Sequence, residues 1–190
     1  MKQNWKPGNL LNPAPVVMLS CREENGRPNI ITLAWVGTVC SEPPMLSVSI
    51  RKDRFSHGIV SRSREFAVNL VPASLAKACD FCGVKSGRDL DKFEATGLHA
   101  EPAPNLKTAP LIRECPLSLE CRVEQVLELG SHDMFVARIV GVQVEERLLD
   151  EKGRLDLAKA DLIVYSHGEY APLKESIGRF GFSVRRKQGV

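Results

Sequence analysis

The chain has 190 residues, of which 43% are hydrophobic and 26% are charged, a composition typical of one soluble globular domain with a sizeable core. The formal net charge is only +3. This fits a small anionic ligand and argues against a nucleic-acid partner, which requires a larger and more clustered basic excess. The sequence has no run of about 18 apolar residues, so we expect no membrane span and a cytoplasmic location.

The first segment is predicted to form a β-hairpin. The run LLNPAPVVMLSC resembles a lipoprotein signal, but its prolines interrupt the apolar stretch. We therefore interpret it as the entry to a strand at residues 16–21 rather than as a leader. Asn25-Gly26 is a strong hairpin signal, and residues 30–39, rich in β-branched and aromatic side chains, are predicted to return as the second strand.

Strands and short helices alternate in the next segment. Residues 45–50 alternate apolar and polar side chains, which predicts a strand, and residues 54–62 have helical spacing with Asp53 as the candidate N-cap. The run EFAVNL predicts another strand. The run PASLAKACDFCG predicts a helix that ends at Gly83, followed by a polar loop and a short helix that begins near Arg88.

The C-terminal half consists of predicted strands joined by polar turns. Residues 116–126 alternate apolar and polar side chains, as in a strand with one buried face, and residues 134–144 and 162–165 predict further strands. The basic run at residues 185–189 is interpreted as a solvated end. At least six short strands with hairpin connections predict a mainly β fold, an antiparallel Greek-key barrel with short helices, in a single domain over residues 1–190.

Common nucleotide and metal motifs are absent from the sequence. It contains neither G-x-G-x-x-G, nor a P-loop, nor H-E-x-x-H. The pair Cys79-x-x-Cys82 could be a redox or zinc motif. However, it falls late in a predicted helix, where a helix dipole does not activate the first thiol, and Cys115 and Cys121 are poorly spaced for a second zinc pair. Structural thiols are the favoured interpretation, with redox and metal roles as alternatives.

A basic cluster marks the start of the first predicted helix. Arg51, Lys52, Arg54 and Ser56 lie just before the helix or in its first turn, where free backbone N–H groups and a partial positive charge attract anions. Arg51 could bind phosphate oxygens in bidentate fashion and Ser56 could donate a hydroxyl hydrogen bond. The alternative is an ordinary solvated basic loop.

Three side chains in the preceding strand are candidates for ligand contacts. Asn29 and Thr32 bracket the start of the strand, where polar groups can face the polar edge of a ligand, and Trp35 could form the wall of a pocket. Their alternative roles are a turn asparagine, an ordinary strand threonine and a core tryptophan.

These segments together resemble a known family. The linked motifs N-P-x-P, N-x-x-T-x-A-W, the E-P-P turn, S-x-R-x-x-R-x-S and C-G-x-x-S-G-R-x-x-D-K-F are similar to those of the flavin reductase-like, FMN-binding split-barrel family. The likeness continues through LECRVEQ, GSHDMFVARIV and YSHGEYAPLKESIGRFGFS. It therefore extends over nearly the whole chain.

The resemblance implies a homodimer of split barrels with FMN bound non-covalently near the subunit interface. It places Asn29, Thr32 and Trp35 at the ring or ribityl chain, and Ser49, Arg51 and Ser56 at the phosphate. Further flavin contacts are implied for Lys92 and His132, with a cation near the N1–C2=O edge of the ring. Tyr165 matches an aromatic position near the flavin, which is often Phe in relatives.

Three functions are consistent with these observations. The first is a flavoprotein that carries electrons through bound FMN between a donor and an acceptor. The second is an NAD(P)H-dependent flavin reductase with FMN as substrate or cofactor, and the third is a non-enzymatic thiol or metal module built on Cys79 and Cys82. In the first two, the flavin supplies the chemistry and no catalytic side chain is expected. The electron donor is then a partner protein or NAD(P)H.

Overall fold

The computed structural model describes residues 1–184, and within them twelve strands and three α-helices are formed. The helices are α1 (Phe55–Ser63), α2 (Ala76–Val84) and α3 (Lys92–Thr96). The strands are β1 (Ala14–Pro15), β2 (Val17–Cys21), β3 (Asn29–Leu33), β4 (Val36–Cys40), β5 (Met45–Arg51), β6 (Glu65–Leu70), β7 (Ala100–Glu101), β8 (Leu111–Ile112), β9 (Leu117–Leu129), β10 (His132–Val144), β11 (Ile163–Ser166) and β12 (Glu169–Pro172).

Seven of these strands form the central sheet. Their order is β3-β2-β6-β9-β10-β5-β4, and every neighbouring pair is antiparallel. Alternate residues of each strand point to one side, where they meet in an apolar core that includes Leu19, Val48, Phe66 and Phe135, each at most 1% exposed. Since side chains alternate between the faces of a strand, this pattern gives the sheet an apolar inner face.

The outer face of β2 and β3 is covered as well. Met18 and Ile30 pack there against Cys79 and Cys82 of α2 and against Phe93 of α3. Strands β2 and β3 are therefore buried on both faces, which explains their almost continuously apolar sequence. The two helices lie outside the barrel, next to the N-terminal end of β3.

The predicted mainly β, antiparallel split barrel is confirmed, but the strand predicted at residues 30–39 is wrong. The chain divides at Ala34-Trp35 into β3, which pairs with β2, and β4, which pairs with β5 at the other end of the sheet order. Both halves carry the same β-branched composition, and a change of pairing partner leaves no compositional signal. The break places Trp35 at a turn of the barrel, 47% exposed.

The helix boundaries were also predicted imperfectly. Arg54, not Asp53, is the N-cap of α1, and Asp53 instead pairs with Arg51 at 3.2 Å. The helix expected near Arg88 begins at Lys92, because the Asp91 side chain accepts hydrogen bonds from the amides of the first turn.

Three other boundaries differ from expectation. Gly83 lies inside the last turn of α2 and does not end it. The two long strands each extend further than predicted, to Leu129 and from His132, and the final hairpin strand β12 was missed. The run at 185–189 lies outside the described residues. No helix within residues 1–184 is both long and apolar enough to cross a membrane.

Candidate functional site

The larger of two neighbouring cavities opens where β3 and β4 separate. It has a volume of about 550 Å³. Six of the nine predicted site residues line it, namely Thr32, Trp35, Ser49, Arg51, His132 and Tyr165. The antiparallel register of β5 and β10 places His132 opposite Arg51, and the Ser49 amide donates to the Trp35 carbonyl at 2.9 Å. Backbone pairing thus holds this wall rigidly.

The walls of the larger cavity are aromatic on two sides. The Trp35 and His132 rings lie 4.4 Å apart at 43°, and opposite them Tyr165 meets Tyr170 edge-on at 5.7 Å. Burial, together with the charge of Arg51, lowers the pKa of His132 below its ordinary value. At neutral pH the imidazole is therefore neutral and can donate one N–H. Flat apolar surfaces with a few polar groups suit a planar aromatic ligand.

The smaller cavity, of about 130 Å³, contains the other three predicted residues. Asn29 begins β3, Ser56 lies in the first turn of α1, and Lys92 begins α3; each is at most 3% exposed. The Asn29 amide donates to the Ser56 hydroxyl at 2.8 Å, while the buried Asn29 Oδ1 has no hydrogen-bond partner. Three separate elements therefore converge on one polar centre.

Lys92 is the most unusual group at this centre. Its ammonium donates to the Ile30 carbonyl at 2.8 Å and to the Cys82 carbonyl at 2.7 Å. No carboxylate within residues 1–184 pairs with it, and burial lowers the pKa of Lys92 to about 8. An ammonium has three donors, so one N–H remains for a ligand. An anion here would compensate a buried charge that the protein leaves unpaired.

The surroundings of the smaller cavity are basic. Arg54, Lys85 and Arg88 also line it, against the single acid Asp53. It also adjoins the N-terminus of α1, a nine-residue helix with no acidic residue in its first turn and no side-chain cap. Free amides, a helix dipole and several cations make this an anion site, and phosphate matches its chemistry.

A loop at residues 85–91 closes this cavity from outside. Arg27 donates to the carbonyls of Gly87 at 3.0 Å and Leu90 at 3.2 Å, and Arg88 reaches back to the Asp53 carbonyl at 3.1 Å. Gly87 packs so closely on Asn29 that a Cβ there would clash with its side chain. The loop, which we call the strap, needs glycine at this position.

The two cavities adjoin each other. Ile31 and Arg54 line both of them. The Arg54 guanidinium donates to the carbonyl of Gly83, in the last turn of α2. This contact links the loop before α1 to the end of α2, at the boundary between the cavities.

The structure groups the nine predicted residues differently from the expectation. Arg51, expected beside Ser56 at a phosphate, lies with Trp35 in the larger cavity and is exposed. Lys92, expected near His132 at a ring edge, lies in the smaller cavity. The reason is that β5 ends at Arg51 and the chain turns before α1, so residues five apart face different cavities.

Some lining residues have no flavin contact assigned to them from the sequence. Arg54 belongs to the basic cluster predicted before α1, and Arg88 stands inside the motif C-G-x-x-S-G-R-x-x-D-K-F, so a signal existed for both. Tyr170 and Asp80 are joined at 3.3 Å on the rim of the larger cavity. Tyr170 reaches the cavity through the pairing of β12 with β11, which was not foreseen.

Cys79 and Cys82 lie within α2, fully buried in the cluster behind the larger cavity. Burial raises the pKa of each thiol to about 11, so neither is a ready thiolate for redox exchange or metal binding. Residues 1–184 contain no group of three or more His, Cys, Asp or Glu side chains placed to hold a metal ion. These observations favour the structural role for the pair.

Comparisons with known proteins agree with this geometry. The flavin reductase-like domain model matches residues 10–174. Flavoredoxin from Desulfovibrio vulgaris (Miyazaki F) superposes with a TM-score of 0.89 at 28% identity, over 97% of this chain and 99% of that chain. Flavoredoxin from Methanosarcina acetivorans gives 0.87 at 31% identity, over 96% and 97%. An FMN-binding protein from Thermus thermophilus gives 0.77 at 29% identity, over 94% and 98%.

Proposed function

Because this chain belongs to the flavin reductase-like domain family, we propose that it is an FMN-binding flavoprotein that carries electrons between a donor and an acceptor. The observation that supports this most strongly is the pair of adjoining cavities. One is aromatic and open, the other small, basic and closed by the strap. FMN has the matching parts: a planar ring joined by a short polyol chain to one phosphate.

The residues present fit this cofactor. Lys92 has one unused donor and the Ser56 hydroxyl can donate, so both would hold the phosphate. The unpaired Asn29 Oδ1 would accept from a ribityl hydroxyl. In the larger cavity, Trp35 and Tyr165 would flank the ring, and Thr32, Ser49, Arg51 and His132 would provide polar contacts at its edges.

When bound, FMN supplies the electron transfer itself. The side chains that line the two cavities would bind and orient it, and the strap would exclude water from the phosphate end. Arg51, more than half exposed at the open side of the larger cavity, would favour a negative charge on the ring through its field. No side chain is required as a nucleophile.

The visible absorption spectrum of the purified protein tests this proposal. We expect flavin bands, either as isolated or after adding FMN and removing the excess. Under anaerobic conditions, bleaching by dithionite but not by NADH or NADPH supports an electron carrier supplied by a partner protein. A colourless protein that does not retain added FMN contradicts the proposal.

The second candidate is an NAD(P)H-dependent flavin reductase. The volume of the larger cavity, about 550 Å³, favours it, since a small molecule could then lie beside a bound ring. Direct bleaching by NADH, with turnover of added FMN, would identify this activity.

All six cysteines are free, which fits a reducing compartment, and we assign the protein to the cytoplasm.

We also propose that the protein acts as a homodimer. The register of β5, β10 and β9 aligns Ser49, which lines the larger cavity, with Met134 and Leu127 on the outer face of the sheet. That face continues past the cavity with exposed apolar side chains, Leu127 at 39% and Leu129 at 55%. Exposed apolar surface next to a ligand site is typical of an interface, and a second copy would narrow the opening.

A further inference from the structure

Arg54 occupies a position that no other cation of the site shares. It stands between α1 and the preceding strand, and its guanidinium reaches the Gly83 carbonyl at the end of α2. Among the side chains that line the two cavities, only those of Arg54 and Ile31 line both. A ligand that fills both cavities must therefore pass this side chain.

We propose that Arg54 is a phosphate-dependent gate: its guanidinium closes the passage between the cavities by binding the Gly83 carbonyl, and transfers to the phosphate when FMN enters. This proposal rests on the proposed function. It adds Arg54 to the residues that contact FMN and states the order in which the arginine changes partner. The arginine would act twice, first as a barrier and then as a ligand contact.

The electrostatics favour this exchange. Arg54 and Lys92 are close enough for the Arg54 charge to lower the pKa of Lys92, so two cations repel each other across the smaller cavity. A neutral carbonyl satisfies one donor of Arg54 but leaves this repulsion. A phosphate neutralises both cations and offers a bidentate partner to the guanidinium.

Gly83 can release the arginine at little cost. It lies in the last turn of α2, where carbonyls lack an intrahelical donor and can be solvated. A helix C-terminus also carries partial negative charge, which explains why the guanidinium rests there when no anion is present. The resting contact joins a cation to a neutral carbonyl, so it is weaker than a bidentate ion pair between the guanidinium and a phosphate.

The gate predicts a selectivity that simple contact does not. A flavin without phosphate, such as riboflavin, must displace the guanidinium from the Gly83 carbonyl without offering it a phosphate to bind instead. Removing the arginine should therefore open the passage to riboflavin while weakening FMN. The two ligands respond in opposite directions, which separates a gate from a merely structural residue.

The experiment compares Arg54→Met, Arg54→Lys and the control Arg62→Met by fluorescence titration and stopped-flow mixing with FMN and riboflavin. Arg62 lies on the same helix, is exposed and pairs with Glu23, and lines neither cavity. We expect Arg54→Met to raise the FMN Kd about ten- to a hundred-fold and to speed riboflavin association. Arg54→Lys should recover part of the FMN affinity, and Arg62→Met should match the wild type.

Three outcomes overturn the gate. These are an unchanged FMN Kd in Arg54→Met, equal weakening of both ligands, or riboflavin association no faster than in the wild type. If Arg54→Met does not fold, Arg54→Lys alone tests the gate. In that variant, the ratio of the riboflavin Kd to the FMN Kd must still be lower than in the wild type. If the wild type binds neither flavin, the proposed function fails as well. If it binds both normally and the Arg54 variants do not differ, only the gate is lost.

Discussion

Lys92 has an ammonium group in a place where the protein provides carbonyls but no carboxylate. Its two hydrogen bonds, at 2.8 and 2.7 Å, orient it, while burial lowers its pKa to about 8. An anionic ligand would stabilise this ammonium, because the anion's charge compensates for the hydration that the group loses on burial.

We predict that FMN affinity falls as pH rises above about 8, while riboflavin affinity stays level. Free Lys92 loses its proton through a pKa of about 8, and a bound phosphate raises that pKa. Binding therefore takes up a proton above pH 8 and weakens with increasing pH. Isothermal titration between pH 6.5 and 9.5 measures this.

The Lys92→Met variant serves as the control for this pH dependence. It should bind FMN more weakly at pH 7, by about ten- to a hundred-fold, and its Kd should no longer follow the wild-type slope. A wild-type FMN profile that stays flat to pH 9.5 would contradict the role given to Lys92.

The sequence motifs single out residues that line the two cavities but do not predict how these residues divide between them, and their contacts with a flavin stay a prediction. All nine predicted residues line one of the two cavities, because the motifs combine spacing with residue type. Their division into two groups was not predictable, since Arg51 and Ser56 are near neighbours in the chain. The turn between β5 and α1 separates them, and only the three-dimensional path of the chain shows it.

At the scale of elements, the strap and α1 together enclose the smaller cavity. The strap has no regular secondary structure and is held by two arginines. Arg27 donates to the strap carbonyls of Gly87 and Leu90, and Arg88, within the strap, donates to the Asp53 carbonyl. Helix α1 is held from the other side, where His57 Nε2 lies 2.7 Å from Asp133 of β10. Both attachments are polar, so each can be tested without removing core volume.

For the strap, we predict that Gly87→Ala weakens FMN binding by about tenfold and riboflavin binding less. The new Cβ would lie 2.9 Å from the Phe55 ring and closer still to Asn29, so the strap must move off the cavity. Fluorescence titration measures both Kd values. Gly37→Ala is a matched control, because a Cβ there meets nothing within 4 Å; equal effects of the two substitutions would refute the idea.

For α1, we predict that Asp133→Asn lowers the Tm by a few degrees at neutral pH. Despite the cost of burial, the contacts with His57 and Lys52 hold the pKa of Asp133 below its ordinary 3.8. The carboxylate therefore stabilises the fold above about pH 4, and this contribution disappears as pH falls further.

The Tm difference between wild type and Asp133→Asn should thus shrink in acid, as measured by circular dichroism. Glu128→Gln is the comparison, since Glu128 also pairs with Lys52 but is exposed; it should have little effect at any pH. A difference that persists unchanged at pH 3 would show that the ionised carboxylate is not the cause.

The elements themselves could be predicted to different degrees. Strands with strict alternation, such as β9, and the hairpin of β2 and β3 follow from pattern. The division of residues 30–39 could not be foreseen, because β3 and β4 have similar β-branched content although they pair with different strands. The start of α3 depends on Asp91, whose capping role competes with several other polar residues in the strap.

At the scale of the whole molecule, the outer face of β5, β9 and β10 connects the cofactor site to the proposed dimer. Trp35, 47% exposed, stands at the border between the cavity and this apolar surface. Association and flavin retention should therefore be coupled, since the same sheet face serves both.

We predict that Leu127→Glu yields a monomer in analytical ultracentrifugation and retains less FMN after gel filtration. A charge at this place would be desolvated on association. Val142→Glu, at the other end of the β9–β10 hairpin and similarly exposed at 51%, is the control and should leave both properties unchanged. A wild-type protein that sediments as a monomer would end the dimer proposal.

The burial of most cysteine side chains should protect the protein from oxidation in air. Five of the six are buried, and desolvation raises the pKa of each of these thiols; Cys40 alone is partly exposed. Reduced flavins pass electrons to dioxygen and generate hydrogen peroxide, which attacks thiolates rather than thiols. If the protein carries reduced flavin as proposed, the burial of five thiols would protect them from the peroxide that forms. Ellman's reagent should label one thiol rapidly in the native protein and all six after denaturation, and peroxide damage should accumulate first at Cys40.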